Sequence, residues 1–356
     1  MRILTIVGAR PQFIKAAALS REFLKYDEIQ EFILHTGQHF DSNMSDVFFE
    51  EMQIPKPHFQ LNINSLGHGA MTGRMLEGIE KIILDNAIDL VLVYGDTNST
   101  IAGALAAKKL HVRVAHVEAG LRSYNMNMPE EINRILTDRI SDYLFCPTIT
   151  AYNNLIKEGY DNIACHVAVT GDVMKDAALF YSELSAERSS IIKKLDIDNF
   201  ILCTLHRQEN TASKSRMSSI VEAINELSKE QEIVLPLHPS AKKKLIEYGL
   251  TLNATVIDPV GYFDMIELLK HCNLVMTDSG GLQKEACFFN KYCITMRDET
   301  EWVELVENKV NTIVGADKEK IMEAVQEYTG LAYKLDVPLY GEGDACASIT
   351  KILLQG

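Results

Sequence analysis

Short apolar runs of strand length recur along this chain, and most are followed by a polar turn and a helical segment. The run at 90–94 is Leu-Val-Leu-Val-Tyr, and a Gly-Asp-Thr-Asn-Ser-Thr turn and an Ala-rich segment come after it. An apolar run of this length before a turn and a helix is typical of a buried parallel strand. The pattern fills both halves of the chain without internal repeats or long linkers. It predicts an α/β protein of two doubly wound, Rossmann-like domains that face a cleft.

Composition and charge restrict the classes of function open to the chain. Its 356 residues suffice for two domains, each with its own core. The formal net charge of −14 opposes nonspecific binding to nucleic acid or to an anionic membrane. No apolar run reaches the roughly 18 residues of a membrane span, and the first residues predict a strand instead of a signal segment. We therefore expect a cytoplasmic protein with neither nucleic-acid nor membrane partners.

The cysteines and histidines give no sign of a metal site. The seven cysteines are scattered and odd in number, and the ten histidines are dispersed as well. This distribution indicates reduced thiols in the core and lacks the spacing of metal ligands. The first turn, 8–11 (Gly-Ala-Arg-Pro), also lacks the Gly-x-Gly-x-x-Gly fingerprint of NAD-binding proteins. We predict no metal and no cofactor.

Three acidic residues stand where strands end or a helix begins. Asp96 follows the strand at 90–94, Glu118 follows a second strand, and Glu131 lies beside Pro129 in a predicted first helical turn. Ligands bind at the carboxyl edge of open α/β sheets, so carboxylates that converge there would suit proton removal and return at carbon. Helix capping is an alternative for Asp96 alone, and the pattern leaves the role of Glu131 open.

Other polar residues are typical of a site for phosphate and ribose. Arg10 and Lys15 lie near a predicted helix N-terminus, which suits phosphate, although two surface cations would give the same pattern. The run 279–281 (Ser-Gly-Gly) opens a helix directly after a strand and predicts a diphosphate cradle. An ordinary tight turn is the alternative for that run. Glu285 lies one helical turn later and could accept hydrogen bonds from a ribose, and His206 follows another strand, where it could bind phosphate or move a proton.

Together these residues resemble the non-hydrolysing UDP-N-acetylglucosamine 2-epimerases. The resemblance runs from residue 8 to residue 345. Its most specific motifs are 94–97 (Tyr-Gly-Asp-Thr), 116–122 (His-Val-Glu-Ala-Gly-Leu-Arg), 129–134 (Pro-Glu-Glu-Ile-Asn-Arg) and 277–281 (Thr-Asp-Ser-Gly-Gly). Several motifs in this order argue against a chance match.

The resemblance implies a glycosyltransferase-B-like fold. It implies a first domain of 1–171 joined by the C-terminal helix at 342–356, a UDP-binding domain at 172–341, and a homodimer. It also implies C2 epimerisation of a UDP-sugar without NAD or metal: UDP is eliminated to leave a 2-acetamidoglucal and then adds back. By resemblance, Asp96, Glu118 and Glu131 match the family's catalytic acids, and His206 and Arg10 match groups near the diphosphate. The turn at Ser279, Gly280 and Gly281, together with Glu285, would hold UDP. We therefore predict Asp96, Glu118, Glu131 and His206 as catalytic residues. The predicted substrate-binding residues are Arg10, the turn, Glu285 and, from its place near a helix N-terminus, Lys15.

The chain departs from the family pattern at three places. The run 38–41 (Gln-His-Phe-Asp) lacks the basic residue of members that their own substrate activates, Met128 replaces a usual tryptophan, and 171–174 (Gly-Asp-Val-Met) replaces Gly-Asn-Thr. Our first expectation is interconversion of UDP-N-acetylglucosamine and UDP-N-acetylmannosamine. The departures look like a branch that includes epimerases of UDP-2,3-diacetamido-2,3-dideoxyglucuronic acid, which is the alternative substrate. A hydrolysing epimerase or a sugar transferase of the same fold is a further alternative.

Overall fold

The structure is a computed structural model that describes residues 1–38 and 53–356. The chain forms two compact units: unit 1 is Met1–Ala177 with Pro338–Gly356, and unit 2 is Ala178–Val337. The sequence also predicts a helix at 44–52; that segment and the loop residues at 39–41 lie outside the described residues.

Unit 1 is built on a parallel sheet whose strand order is β3-β2-β1-β4-β5-β6-β7. The apolar runs of this half all form strands; the short β3 is an additional strand, in a segment for which the sequence predicts only loose structure. The strands are β1 (Arg2–Val7), β2 (Gln30–His35), β3 (Phe59–Gln60), β4 (Leu90–Tyr94), β5 (Arg113–Val117), β6 (Tyr143–Cys146) and β7 (His166–Val169).

Helices follow the strands of unit 1 and cover its sheet. Every residue of β4 is buried, as expected of a central parallel strand with helices on both of its faces. The helices are α1 (Arg10–Phe23), α2 (His68–Asn86), α3 (Asn98–Lys109), α4 (Pro129–Ile140), α5 (Ile149–Lys157) and α6 (Val173–Arg188), the last of which runs from unit 1 into unit 2.

Unit 2 repeats the architecture with the strand order β10-β9-β8-β11-β12-β13. Its strands are β8 (Phe200–Thr204), β9 (Glu232–Pro236), β10 (Thr255–Ile257), β11 (Leu274–Thr277), β12 (Cys293–Thr295) and β13 (Asn311–Ile313). Its helices are α7 (Ile191–Leu195), α8 (Gln208–Thr211), α9 (Lys214–Leu227), α10 (Pro239–Tyr248), α11 (Tyr262–His271), α12 (Gly280–Phe288), α13 (Val303–Glu307) and α14 (Lys318–Tyr328). The last helix, α15 (Ala345–Gln355), belongs to unit 1. Both sheets are parallel and doubly wound, which confirms the fold class predicted from the sequence.

The unit boundaries, 177/178 and 337/338, differ from the predicted 171/172 and 341/342. The first turn of α6 stays in unit 1 because the Asp176 carboxylate accepts two backbone N–H groups at the start of α15, at 3.2 and 2.8 Å. The segment before α15 stays there as well, since the carbonyl of Tyr340 accepts the N–H of Asp172 at 3.1 Å. The observed boundaries therefore keep both sets of contacts within unit 1.

Two further properties concern the described residues alone. No helix in residues 1–38 and 53–356 has both the length and the apolar character needed to cross a bilayer. In that part of the chain, no group of three or more His, Cys, Asp or Glu side chains is arranged to hold a metal ion.

Candidate active site

A buried glutamine, Gln12, ties together the turns that follow β1 and β4. Its side-chain oxygen accepts the N–H groups of Gly8 and Ala9 at 2.8 and 3.1 Å, and its nitrogen donates to the carbonyl of Tyr94 at 2.7 Å. Both turns leave the carboxyl edge of the sheet, where doubly wound folds bind ligands. Gln12 therefore fixes the base of the candidate site in unit 1. No sequence motif indicated this residue.

Asp96 lies in the turn after β4 and is held by α4. Its Oδ2 accepts from Arg134 Nη2 at 2.6 Å, and its carbonyl accepts from the Asn133 amide at 2.8 Å. Burial raises the pKa of Asp96; Arg134 and Lys15 lower it, Glu118 raises it, and the net effect is a raised pKa. The side chain keeps 27% of its exposure. A partly exposed carboxylate with a raised pKa is a candidate for proton transfer.

Glu118 occupies a left-handed backbone conformation with φ of +71°. That conformation costs on the order of 1–3 kcal/mol for a residue other than glycine and is frequent at functional sites. Its buried carboxylate forms an ion pair with Lys15 of α1. The carboxylate also lies over Gly95, where φ is +61° and an added Cβ would stand 3.3 Å from Glu118 Oε2. The tight turn at Gly95 thus leaves room for the second acid beside Asp96.

A buried ionic network supports the turns that carry these two acids. His116 Nδ1 lies 2.7 Å from Asp138 Oδ1, and His116 Nε2 lies 2.8 Å from the carbonyl oxygen of Gly95. Asp138 Oδ2 accepts from the Gly120 N–H at 3.1 Å and from Arg122 Nη1 at 2.7 Å. One carboxylate therefore fixes both turns.

Glu131 is completely buried in the first turn of α4. Its carboxylate accepts the N–H of Ser123 at 2.9 Å, the hydroxyl of Ser123 at 3.0 Å, the N–H of Tyr124 at 2.8 Å and Arg134 Nη1 at 2.9 Å. Burial alone would raise the pKa of Glu131, but these donors lower it below its ordinary value. Arg134 therefore joins Glu131 to Asp96.

The two predicted phosphate-binding cations of unit 1 lie on α1. Arg10 is the first residue of the helix and is half-buried. Lys15 lies further along the helix and pairs with Glu118. The structure therefore brings Lys15, Glu118 and Asp96 into one charged group at the carboxyl edge of the sheet.

A pocket of about 470 Å³ in unit 2 gathers most of the residues predicted there. His206, Ser279, Gly281 and Glu285 all line it. Apolar side chains that no sequence motif indicated complete its wall: Pro236, Val260, Met265 and Leu282. These residues lie at strand ends or in the loops and helices that follow, and that position is the sequence signal that could have identified them. A pocket with an apolar wall and a few polar groups is typical of a site for a small molecule.

His206 is held at this pocket by the buried carboxylate of Asp278. Asp278 accepts the N–H groups of His206 and Arg207 at 3.1 and 3.0 Å, and its Oδ1 lies 3.2 Å from His206 Nδ1. The His206 side chain remains 50% exposed. Asp278 thus orients the ring and leaves Nε2 for a ligand.

The turn at 279–281 presents one glycine to the pocket and another to a buried charge. An added Cβ on Gly281 would meet only open space, whereas one on Gly280 would lie 2.5 Å from Glu301 Oε1. Glu301 pairs with Arg297 at 2.9 Å. The lack of a side chain at Gly281 therefore keeps the pocket wall open, and the lack of one at Gly280 leaves room for Glu301. Glu285 of α12 accepts from the Tyr262 hydroxyl at 3.2 Å.

Comparisons with known proteins identify the family of the chain. The family model described as UDP-N-acetylglucosamine 2-epimerase matches residues 21–354. A UDP-2,3-diacetamido-2,3-dideoxy-D-glucuronate 2-epimerase of Pseudomonas aeruginosa is 54% identical over 356 residues and covers 100% of both chains. A UDP-N-acetylglucosamine 2-epimerase of Methanocaldococcus jannaschii is 42% identical over 368 residues, again with 100% of both covered.

Solved structures of such enzymes share the fold over the whole chain. The Methanocaldococcus jannaschii enzyme in complex with UDP-GlcNAc and UDP aligns with a TM-score of 0.88 at 42% identity, covering 100% of both chains. The Neisseria meningitidis enzyme bound to UDP-GlcNAc aligns with a TM-score of 0.87 at 32% identity and the same coverage. The predicted glycosyltransferase-B-like class is confirmed, and the chain belongs to the UDP-N-acetylglucosamine 2-epimerase family.

Proposed function

We propose that this protein is a non-hydrolysing C2 epimerase of UDP-2,3-diacetamido-2,3-dideoxyglucuronic acid. The observation that carries the choice of substrate is the 54% full-length identity to the Pseudomonas aeruginosa epimerase of that sugar, against 42% to the Methanocaldococcus jannaschii epimerase of UDP-N-acetylglucosamine. The relatives therefore favour the alternative substrate over the one expected first from the sequence. The departures at Met128 and at 171–174 agree with that branch.

In the proposed reaction, Asp96 and Glu118 exchange protons with C2 of the sugar. One carboxylate removes the C2 proton, the C–H electron pair becomes a C1–C2 double bond, and the C1–O bond breaks so that UDP leaves with its electron pair. The reverse addition of UDP to C1, with protonation of C2 from the opposite face, inverts that carbon. Inversion without a redox step requires more than one acid or base, and two carboxylates with separate cationic partners meet this requirement.

The pocket of unit 2 is the proposed site for UDP. N–H groups at the start of α12 favour the negative charge of a diphosphate, and His206 adds a donor that could stabilise it as it leaves. Glu285 lies one turn along α12, where it can accept from ribose hydroxyls, and the apolar wall suits the uracil ring. Arg10 of unit 1 is the further proposed phosphate ligand.

Turnover in deuterated water tests the function and the substrate together. The protein is incubated separately with the diacetamido uronate, with UDP-N-acetylglucosamine, and with UDP-N-acetylglucosaminuronic acid, which keeps the carboxylate but lacks the second acetamido group. We expect deuterium at C2 and a UDP-linked epimer. The kcat/KM of the diacetamido uronate should exceed that of UDP-N-acetylglucosamine by about tenfold or more, since a charge-assisted hydrogen bond contributes about 1.5–3 kcal/mol.

Different contrary results would reject different parts of the proposal. A higher kcat/KM for UDP-N-acetylglucosamine would reject the proposed substrate and keep the epimerase. Free sugar together with UDP would instead identify a hydrolysing enzyme, and the absence of C2 exchange with all three sugars would reject the function. The homodimer implied by the resemblance stays a prediction, and light scattering after size-exclusion chromatography measures it.

A further inference from the structure

Glu131 is poorly placed to exchange a proton with a substrate. Its side chain is completely buried, and its two oxygens already accept four hydrogen bonds from Ser123, Tyr124 and Arg134. Three of these bonds go to Oε2 and one goes to Oε1, so protein donors already hold both oxygens. Asp96, in contrast, keeps 27% of its side-chain exposure. The family resemblance gives Glu131 and Asp96 the same catalytic role, but the two carboxylates differ in their exposure to solvent.

Arg134 makes the connection between these two acids. It lies three residues after Glu131 on α4, its Nη1 donates to Glu131 at 2.9 Å, and its Nη2 donates to Asp96 at 2.6 Å. A guanidinium is planar and does not lose its proton in proteins, so its two arms hold both partners at a fixed separation. The neighbouring Asn133 binds the Asp96 carbonyl from the same helix. The first turns of α4 thus hold both the backbone and the carboxylate of Asp96.

We propose that Arg134 is the positioning residue for Asp96, and that Glu131 acts on the reaction only through Arg134 and the turn at 123–124. This inference rests on the proposed function, in which Asp96 exchanges a proton with C2. Three charged groups from three elements face the Asp96 carboxylate: Arg134 from α4, Lys15 from α1 and Glu118 from the turn after β5. Among them, Arg134 binds Asp96 directly, while Lys15 is paired with Glu118.

The predicted effect on ionisation has a definite sign. Burial and Glu118 raise the pKa of Asp96, and Arg134 lowers it. Removing the guanidinium therefore raises that pKa further, so that Asp96 is protonated at higher pH. The acid limb of the pH dependence of kcat/KM reports the essential base of the free enzyme, and the alkaline limb reports its essential acid. The limb that Asp96 sets, whichever of these two roles it has in the assayed direction, should move to higher pH when Arg134 is replaced.

The test compares Arg134→Met, Arg134→Lys and Glu131→Gln with the wild type. Arg139→Met, an exposed arginine of the same helix, is the matched control, and Asp96→Asn shows the loss expected when the reacting group itself is removed. For Arg134→Met we expect kcat to fall by roughly 10²-fold, the loss expected from misplacement of a reacting group by about 1 Å, with a smaller change in KM. Arg134→Lys should recover part of kcat, because it restores the charge without the fork.

Glu131→Gln separates the positioning role from a chemical one. We expect this variant to keep C2 deuterium exchange at a reduced rate, because it retains the carboxylates of Asp96 and Glu118 that exchange protons with C2. Loss of exchange in Glu131→Gln to the level of Asp96→Asn, while Arg134→Met retains exchange, would overturn the proposal. A pH profile of Arg134→Met in which neither limb moves would overturn it as well.

A titration without substrate keeps the inference separable from the proposed function. The ¹³C carboxyl signal of Asp96 is followed against pH in the wild type, Arg134→Met and Arg139→Met, with circular dichroism as the check on folding. A higher pKa in Arg134→Met alone supports the coupling even if none of the tested sugars turns over. Equal pKa values in all three proteins would reject the coupling even if the epimerase activity is established.

Discussion

Gly280 and Gly281 are adjacent, yet the hydrogens on their Cα atoms face different surroundings. A Cβ on Gly280 would displace the carboxylate of Glu301, which is held by Arg297, whereas a Cβ on Gly281 would project into open space. The sequence pattern of a strand, a Ser-Gly-Gly turn and a helix predicts both glycines as parts of one cradle. Only the fold brings Glu301 back against the turn and separates the two roles.

The variants Gly280→Ala and Gly281→Ala should therefore lose different properties. We expect Gly280→Ala to lower the melting temperature of the protein, because the ion pair of Glu301 must shift. Gly281→Ala should keep the wild-type melting temperature and bind UDP about tenfold more weakly, since its methyl group occupies space near the proposed diphosphate. Differential scanning fluorimetry and titration calorimetry with UDP measure the two effects. Wild-type affinity in Gly281→Ala would place the diphosphate elsewhere.

At the scale of elements, the turns after β4 and β5 depend on an acid that belongs to neither of them. Asp138 comes from α4 and binds His116 on β5, the Gly120 N–H and Arg122. Burial would raise the pKa of Asp138, but His116 and Arg122 lower it below its ordinary value. The network is thus charged and fully buried, and it lies directly beneath the candidate acids.

Asp138→Asn should loosen both turns at neutral pH. It removes the charge of the carboxylate that binds His116 and the buried Arg122, and breaking a buried ion pair by removing one partner costs about 3–5 kcal/mol. Hydrogen–deuterium exchange over residues 95–138 measures the local opening free energy, and Glu226→Gln, at an exposed ion pair, should leave it unchanged.

The pH dependence of this effect follows from the depressed pKa of Asp138. Such a carboxylate stabilises the fold above its unfolded pKa of about 3.9, and the contribution is lost as the pH falls through the lower folded value. The opening free energy of the wild type should therefore decrease more steeply than that of Asp138→Asn below about pH 4. Parallel curves for the two proteins would show that Asp138 is not ionised in the fold.

Local patterns predicted the elements far better than the contacts between them. The strand at 90–94 and the helix that begins at Pro129 were predicted with their observed bounds, because a continuous apolar run and a helix-opening proline are local signals. The position of Asp96 after its strand was equally readable. The bridge from Arg134 to Asp96 was not, since it joins residues 38 positions apart in the chain.

At the scale of the whole molecule, α15 completes unit 1 from the far end of the chain. Its buried residue Ile349 lies in the core, whereas Leu354 on the same helix is 36% exposed. Ile349→Ala should destabilise unit 1 by about 2–5 kcal/mol through loss of buried apolar contact and creation of a cavity. Leu354→Ala is the matched control with little expected effect. Hydrogen exchange should show the loss within 1–177 and not within 178–337, and a uniform loss would contradict the division into two units.

Unit 2 is inserted in the sequence of unit 1. The synthesis of unit 1 therefore begins before that of unit 2 but ends after it. A ribosome has made every residue of 178–337 before it reaches α15, the helix that unit 1 still lacks. During that interval the carboxylate of Asp176 lacks the two N–H groups of α15 that it binds in the folded protein, because they have not yet been synthesised. The unit that carries the candidate acids can therefore be completed only after every residue of unit 2 has been synthesised.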